Sequence, residues 1–376
     1  MKIILIGNYI LDKQESMERF ARMLSDGFVK KGIEVEIWKP LVIFGKKSLN
    51  PHSGLGKYLG YIDKWLIFPL ILKWRLLKKA NNNNSVFFHV CDHSNSPYLK
   101  CLPVDKSGIT CHDVLAIRGA FGYADAYCPA SGMGKILQKW ILKNLAQAKK
   151  MACVSQHTLM QLKDLCKKYT SDDNWVVILN AFNAPFEPLA LEESNKRLQF
   201  ISSDKNRFIL HIGSSLPRKN RRLLLDMVYQ LGNRWDGCIY FAGDALEEDL
   251  KNHAEKLGLS NRVVSIVKPE HEVLVALLSA CEAFIFPSFS EGFGWPLIEA
   301  QACGAPVIAS DIAPMPEVSG DTALHVPPTD SKLFADAFLK LQEVTFRNSV
   351  IHNGFKNVQR FSNDQMINDY ISLYFK

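Results

Sequence analysis

The residues best suited to chemistry are two glutamates, Glu291 and Glu299, with seven residues between them that begin Gly292-Phe293-Gly294-Trp295-Pro296. Apolar runs of strand length, Ala283 to Pro287 and Pro306 to Ala309, lie on either side. Between the runs the sequence predicts a loop and then a short helix. Pro296 suits the first helical position, and Gly304 with Pro306 stops the helix. The free amides near Leu297 and Ile298 then face the loop, and Gly292 and Gly294 let a ligand approach the backbone closely, as at an anion site. Glu299 in the first turn favours the helix dipole but would repel a diphosphate on the same axis. Its carboxylate is expected to accept from hydroxyls beside the phosphate, such as those of a ribose, and Glu291 is expected to meet a sugar. For Glu299 alone, capping its own helix is the plainer alternative.

A second candidate is Gly213-Ser214-Ser215-Leu216-Pro217-Arg218-Lys219-Asn220, between a strand pattern and a helix pattern. Two adjacent cations at a helix start oppose the dipole. Alone they could be an exposed accident; facing a diphosphate they make sense, with Arg218 as a fork and Lys219 as a point charge. A third is Thr110-Cys111-His112-Asp113-Val114, a polar pair closing a strand where open α/β sheets gather ligands. His89 and His93 have no comparable support. The chain holds no Asp-X-Asp, so no metal is expected at the diphosphate.

Glu291 to Glu299 resembles the Glu-X7-Glu signature of the retaining GT-B glycosyltransferases of family GT4. Gly213 to Asn220 resembles that family's diphosphate loop, and His112-Asp113 is similar to its segment beneath the donor sugar. The likeness runs almost continuously through the second half, past Asp311 to Pro316 and Val326 to Asp330. In the first half it is limited to strand order, His112-Asp113, Ser155 and Asn180. The resemblance implies an α/β protein of GT-B architecture, two doubly wound Rossmann-like domains facing across a cleft. It implies transfer of a hexose, glucose first, from a nucleotide diphosphate sugar, UDP-linked first, to a glycan or lipid-linked acceptor in polysaccharide assembly, with retention and without metal or added cofactor. It casts Glu291, Arg218, Lys219 and His112 as catalytic. Glu299, Gly213, Ser214, Gly292, Phe293, Gly294, Leu297 and Ile298 would bind the donor, with Asn8 and Asp113 on the acceptor side. A nucleotide-sugar 2-epimerase and a non-catalytic adaptor of the same architecture are the alternatives.

The elements needed to hold these residues are legible. Lys2 to Gly7, Ser16 to Lys31 and Glu34 to Trp38 read as strand, helix, strand, so a parallel sheet is expected. The turn after Gly7 lacks the Gly-X-Gly-X-X-Gly fingerprint, which disfavours a dinucleotide-binding dehydrogenase. Strand and helix patterns alternate to Trp175 to Leu179, and Pro185 to Asn195 reads as a linker. Arg207 to Gly213 starts a second alternating series. The division expected is residues 1–185, with 361–376 crossing back, and residues 186–360.

With 376 residues, 47% hydrophobic and 22% charged, the chain has room for two cores. A net charge of +7 without an arginine-rich run is weak support for nucleic acid, which is not expected as a partner. Nine cysteines without Cys-X-X-Cys spacing favour reduced thiols in a cytosolic protein. The N-terminus is too short in its apolar part for a signal peptide, and no run has the length of a spanning helix. Lys57 to Lys79 mixes Tyr58, Tyr61, Trp65, Leu66, Ile67, Phe68, Ile71, Leu72 and Trp74 with Lys57, Lys64, Lys73, Arg75, Lys78 and Lys79. Two readings stay open there: a core-facing helix with a basic edge, or a surface lying in the inner membrane interface. Asn81 to Asn84 reads as a polar loop.

Overall fold

A computed structural model describes residues 1–45, 54–79, 85–167, 174–201 and 207–375; the Asn81 to Asn84 loop lies outside them. The chain divides into two compact units, Met1–Asn183 with Asn363–Lys376, and Ala184–Ser362.

In the first unit β1 (Lys2–Ile6), β2 (Glu34–Trp38), β3 (Val86–Val90), β4 (Ser107–Cys111), β5 (Lys150–Cys153) and β6 (Asn174–Val177) form one parallel sheet in the order β2-β1-β3-β4-β5-β6. Parallel strands covered on both faces must be apolar throughout. Ile3 to Ile6 are accordingly buried, as is every residue of β4. The helix Glu15–Lys30 buries Phe20, Ala21, Leu24 and Phe28, one stripe at helical spacing.

The C-terminal helix Asn363–Phe375 is bound into this unit by a buried polar chain. The Tyr374 hydroxyl donates to the Phe88 carbonyl at 3.0 Å and so accepts from His89 Nδ1–H at 2.6 Å. His89 Nε2 is then the acceptor for the Thr110 hydroxyl at 2.8 Å, and Thr110 accepts from Tyr370 at 2.9 Å. Gly108 is required beneath it, because a Cβ there would stand 2.6 Å from Tyr374 Oη.

The 57–79 stretch consists of helix Gly54–Ile62, a π turn Asp63–Ile67 and helix Phe68–Lys79. The core-facing reading holds for Phe68 and Leu72, which enter the core, while Leu66, Leu70, Trp74 and Leu77 face outward. Asp63 in the π turn is fully buried and accepts from the amides of Ile43 at 3.1 Å, Phe44 at 3.0 Å and Gly45 at 3.0 Å and from the Tyr9 hydroxyl at 2.6 Å. Burial would raise its carboxyl, but these four donors hold it below the ordinary value.

In the second unit β7 (Phe208–Gly213), β8 (Cys238–Gly243), β9 (Val263–Val267), β10 (Ala283–Phe286), β11 (Val307–Ser310) and β12 (Leu324–Val326) form a parallel sheet in the order β12-β11-β10-β7-β8-β9. The core packs helix Arg222–Leu231, through Leu224, Leu225 and Val228, with Trp235, Phe334 and Phe338. The linker expected to run to Asn195 is instead structured. Leu191–Leu198 is a helix whose Ser194 and Leu198 are buried, and the segment before it is fixed by Leu189 N–H to Ser279 Oγ at 3.1 Å. Its prolines precede the helix rather than interrupt it. Phe361 stays in this unit, edge-on to Phe293 at 5.9 Å.

Tyr374→Phe should cost about 1–3 kcal/mol, the penalty of orphaning buried polar partners, read as a lower urea midpoint. Burial pushes His89 from 6.5 down to about 3. Its contribution to stability is therefore complete above pH about 6.5 and lost as pH falls toward about 3, because the unfolded chain binds the proton. The acid-side fall in urea midpoint should be shallower in His89→Leu than in the wild type.

Candidate active site

In an open α/β sheet the crevice for a ligand forms at the carboxyl ends of the two strands where the strand order reverses. In the second unit those strands are β7 and β10. The loop after β7 carries Arg218 and Lys219; the loop after β10 carries Glu291.

Glu291 accepts from both cations, from Arg218 Nη1 at 2.8 Å and from Lys219 Nζ at 2.6 Å. Lys219 is 9% exposed and Glu291 7%, so Lys219 is not the exposed loop cation that the sequence suggests. Arg218 is half-buried. Burial would raise the Glu291 carboxyl, but Lys219 and Arg218 hold it below its ordinary value, so it is ionised. Burial draws Lys219 downward, opposed by its contact with Glu291. Lys219 also lies 5.2 Å from the Phe286 ring centroid.

The two loops are stitched together. Phe289 N–H donates to the Arg218 carbonyl at 2.8 Å, and Arg218 Nη1 returns a bond to the Ser290 carbonyl at 2.9 Å. Asn220, left-handed at φ 51°, donates to the Pro287 carbonyl at 3.2 Å and to that of Pro328 at 2.7 Å. Gly213 and Gly243 pair across β7 and β8, and a Cβ on Gly243 would meet Gly213 O at 2.4 Å. Ser214 is half-buried just beyond.

The helix after Glu291 differs from expectation. It spans Trp295–Ala302, with Pro296 second rather than first, because Gly294 at φ 98° turns the chain one residue early. Glu299 thus falls beyond the first turn, and its side chain is 7% exposed. The Leu297 amide is not free: it donates to the Gly294 carbonyl at 3.0 Å. Leu297 and Ile298 bury their side chains completely, and Phe293 packs on Trp295 and Phe361. These three side chains hold the loop, so any donor contact from them is through backbone. Gly292 lies between Glu291 and this anchor.

In the first unit the strand order reverses between β1 and β3, and Asn8 and Asp92 meet there: Asn8 Nδ2 donates to Asp92 Oδ2 at 2.5 Å and Asn95 Nδ2 to Asn8 Oδ1 at 3.1 Å. Asp92 also accepts from Ser94, and His93 Nδ1 lies 3.4 Å away. Sequence reading missed Asp92 and Asn95; their position just after an apolar strand was the available signal. His112 is buried edge-on to Phe20, with Nε2 donating to the Cys91 carbonyl at 2.9 Å. Burial lowers it although Asp92 opposes, so the ring is neutral and Nδ1 keeps its lone pair. Asp113, expected on the acceptor side, spends Oδ1 on the Leu115 amide at 2.9 Å, starting helix Leu115–Ala120. Arg221, also missed, is buried against Phe241 and bonds the Asp244 and Ala245 carbonyls.

Residues 192–356 match the family model described as glycosyl transferases group 1. Over 315 residues the chain is 25% identical to O-antigen chain mannosyltransferase RfbU of Salmonella typhimurium, covering 82% of this chain and 79% of the relative. It is 29% identical over 248 residues to O-antigen chain mannosyltransferase B of Escherichia coli, covering 64% of each, so it spans just under two thirds of that relative. Sucrose-phosphate synthase from Thermosynechococcus elongatus shares the fold at a TM-score of 0.73, with 18% identity over 100% of this chain and 98% of that one. Anabaena Alr3699/HepE, solved with UDP and glucose, does so at 0.69, with 17% identity over 99% and 98%.

Glu291→Gln would leave two neighbouring cations without their carboxylate. It should cost about 3–5 kcal/mol, as breaking a buried ion pair does. Inorganic pyrophosphate should then raise the melting temperature of the variant more than that of the wild type; equal increments in a thermal melt would mean the cations do not receive the anion.

Proposed function

We propose that this chain is a retaining, metal-independent hexosyltransferase, a reading supported by the match of residues 192–356 to the group 1 glycosyl transferases. It moves a hexose from a nucleotide diphosphate sugar to a glycan or lipid-linked acceptor in polysaccharide assembly. The observation that carries this reading is the Arg218–Glu291–Lys219 cluster at the strand-order reversal of the second sheet.

In the transfer the bond from the anomeric carbon to the diphosphate breaks, and the acceptor oxygen bonds to that carbon from the same face. The acceptor proton goes to the departing phosphate oxygen. Negative charge grows on the diphosphate and positive charge on the sugar, so fixed cations at the phosphate lower the barrier. Arg218 and Lys219 supply them. Glu291 aligns both and offers its carboxylate to the sugar hydroxyls, Glu299 takes the ribose, and the neutral His112 accepts a hydroxyl of the sugar or acceptor. Gly213, Ser214, Gly292 and Gly294 supply close backbone. Charge supplied by side chains also supports metal independence. Asn8, held by Asp92, serves the acceptor side.

Glucose on UDP leads on family habit, but both relatives compared above are mannosyltransferases of O-antigen chains, which moves mannose to the head of a donor screen. A lipid-linked acceptor would bring the enzyme to the inner face of a membrane.

The test is calorimetry against UDP- and GDP-hexoses, followed by steady-state kinetics with the donor that binds. Arg218→Ala should lower kcat by ~10²–10³, about 3–4 kcal/mol, with turnover of the wild type persisting in excess EDTA. A loss confined to KM would mean uniform donor binding rather than leaving-group stabilisation. Isomerised nucleotide sugar formed without acceptor would replace transfer by epimerisation. Glu299→Gln should weaken binding of the free nucleotide by roughly 1.5–3 kcal/mol, the range for a hydrogen bond to a charged group; unchanged affinity by calorimetry would remove Glu299 from the ribose.

A further inference from the structure

The helix Phe68–Lys79 and the turn before it are apolar on two opposite faces, and only one of them meets the core. Phe68 and Leu72 are fully buried. Leu66 at 60%, Leu70 at 58%, Trp74 at 55% and Leu77 at 76% are exposed. At about 100° per residue these four fall within roughly one quarter of the helix circumference, a single stripe. Lys73 and Lys78, both exposed, border it on either side, and Lys78 Nζ stands 3.8 Å from the Trp74 ring centroid. From Lys64 to Lys79 the sequence contains no acidic residue.

A second exposed apolar segment is fixed beside this one. Leu41, Ile43 and Phe44 are 47%, 46% and 39% exposed, and the amides of Ile43, Phe44 and Gly45 are held by Asp63, in the turn that leads into the helix. Asp63 therefore does not add its charge to the surface. It joins a loop and a helix into one platform. Next to the helix, Glu36, Ile37, Trp38, Arg75 and Lys78 line an open cavity of about 440 Å³. Glu36 is occupied by Lys2 at 2.5 Å and by Trp38 Nε1 at 2.8 Å. Arg75 stacks 5.0 Å from the Trp38 ring, and among the described residues neither Arg75 nor Lys78 has an ion pair.

We propose that this platform docks the protein on a bilayer containing anionic phospholipid, the stripe Leu66, Leu70, Trp74 and Leu77 entering the interface and the bordering Lys73 and Lys78 receiving headgroup phosphate. A contiguous apolar patch calls for a cover. Lysines bordering a tryptophan-bearing stripe fit an interfacial helix better than a protein groove, since the basic rim meets lipid phosphate while the apolar stripe meets acyl chain. Among the described residues no helix is long and apolar enough to cross a membrane, so the contact lies in the plane of the interface. Its purpose, access to a lipid-linked acceptor, rests on the function proposed above; the docking itself does not.

The full chain would be sedimented with vesicles of phosphatidylcholine alone and of phosphatidylcholine mixed equally with phosphatidylglycerol. It should bind the mixed vesicles and lose that binding in high salt. Leu70→Asp with Trp74→Asp should abolish binding at unchanged melting temperature, and Lys73→Gln and Lys78→Gln should each weaken it about fivefold. Equal or negligible binding to both vesicles would overturn the proposal. So would unchanged binding by the Leu70/Trp74 variant, or light scattering that shows a dimer which this variant dissociates, since the stripe would then be covered by a second copy. Transfer to a soluble acceptor fragment without vesicles separates the two readings: docking can fail while that transfer persists, and transfer can fail while docking persists.

Discussion

The second unit depends on burying one carboxylate between two cations. Glu291, Arg218 and Lys219 are each costly to take out of water alone, and their mutual attraction offsets that cost only while the geometry holds. That need accounts for the bonds around them. Phe289 to Arg218, Arg218 to Ser290, and Asn220 to Pro287 and Pro328 use backbone groups of three loops to fix the side chains that carry charge. The positive φ of Asn220 and Gly294 belongs to the same requirement, because each re-aims the chain where a loop enters a helix. The cluster thus holds two cationic side chains and one carboxylate in fixed positions.

The first unit repeats this arrangement with different chemistry. Where its sheet order reverses, the loop residues are Asn8, Asp92 and Asn95, an interlocked polar group with a single carboxylate. Beside it His112 is neutral. A site of that kind suits hydroxyl groups, as the cationic site in the second unit suits phosphate. Two sheets of related topology thus differ in what they can bind through the loops at one pair of strand ends. The fold supplies the position, and the loop side chains supply the selectivity.

Much of the fold was legible because parallel strands covered on both faces leave continuous apolar runs, such as Ile3 to Ile6 and Ala283 to Phe286, with helical stripes between them. The candidate residues Glu291, Arg218 and Lys219 were legible by type and local spacing. Their pairing was not, since it joins positions more than seventy residues apart through tertiary contact. The Leu297 amide was misjudged for a local reason: the left-handed Gly294 begins the helix early, and sequence alone does not report φ. Residues 191–195 read as linker in the sequence because the nearby prolines outweigh the short amphipathic period of the Leu191–Leu198 helix. Asp92 and Asn95 were overlooked since neither carries a motif; they become a site only when β1 and β3 lie side by side.

The Lys57 to Lys79 stretch shows a different limit. The sequence offers a core helix and an interfacial helix as alternatives, and the structure places apolar residues on two faces, of which one meets the core. Phe68 and Leu72 answer to the core, whereas Leu66, Leu70, Trp74 and Leu77 gain nothing from the fold itself. Burying Asp63 beside such a surface carries a desolvation cost, which the amides of Ile43, Phe44 and Gly45 and the Tyr9 hydroxyl offset. A carboxylate that accepts three amides fixes a loop rigidly.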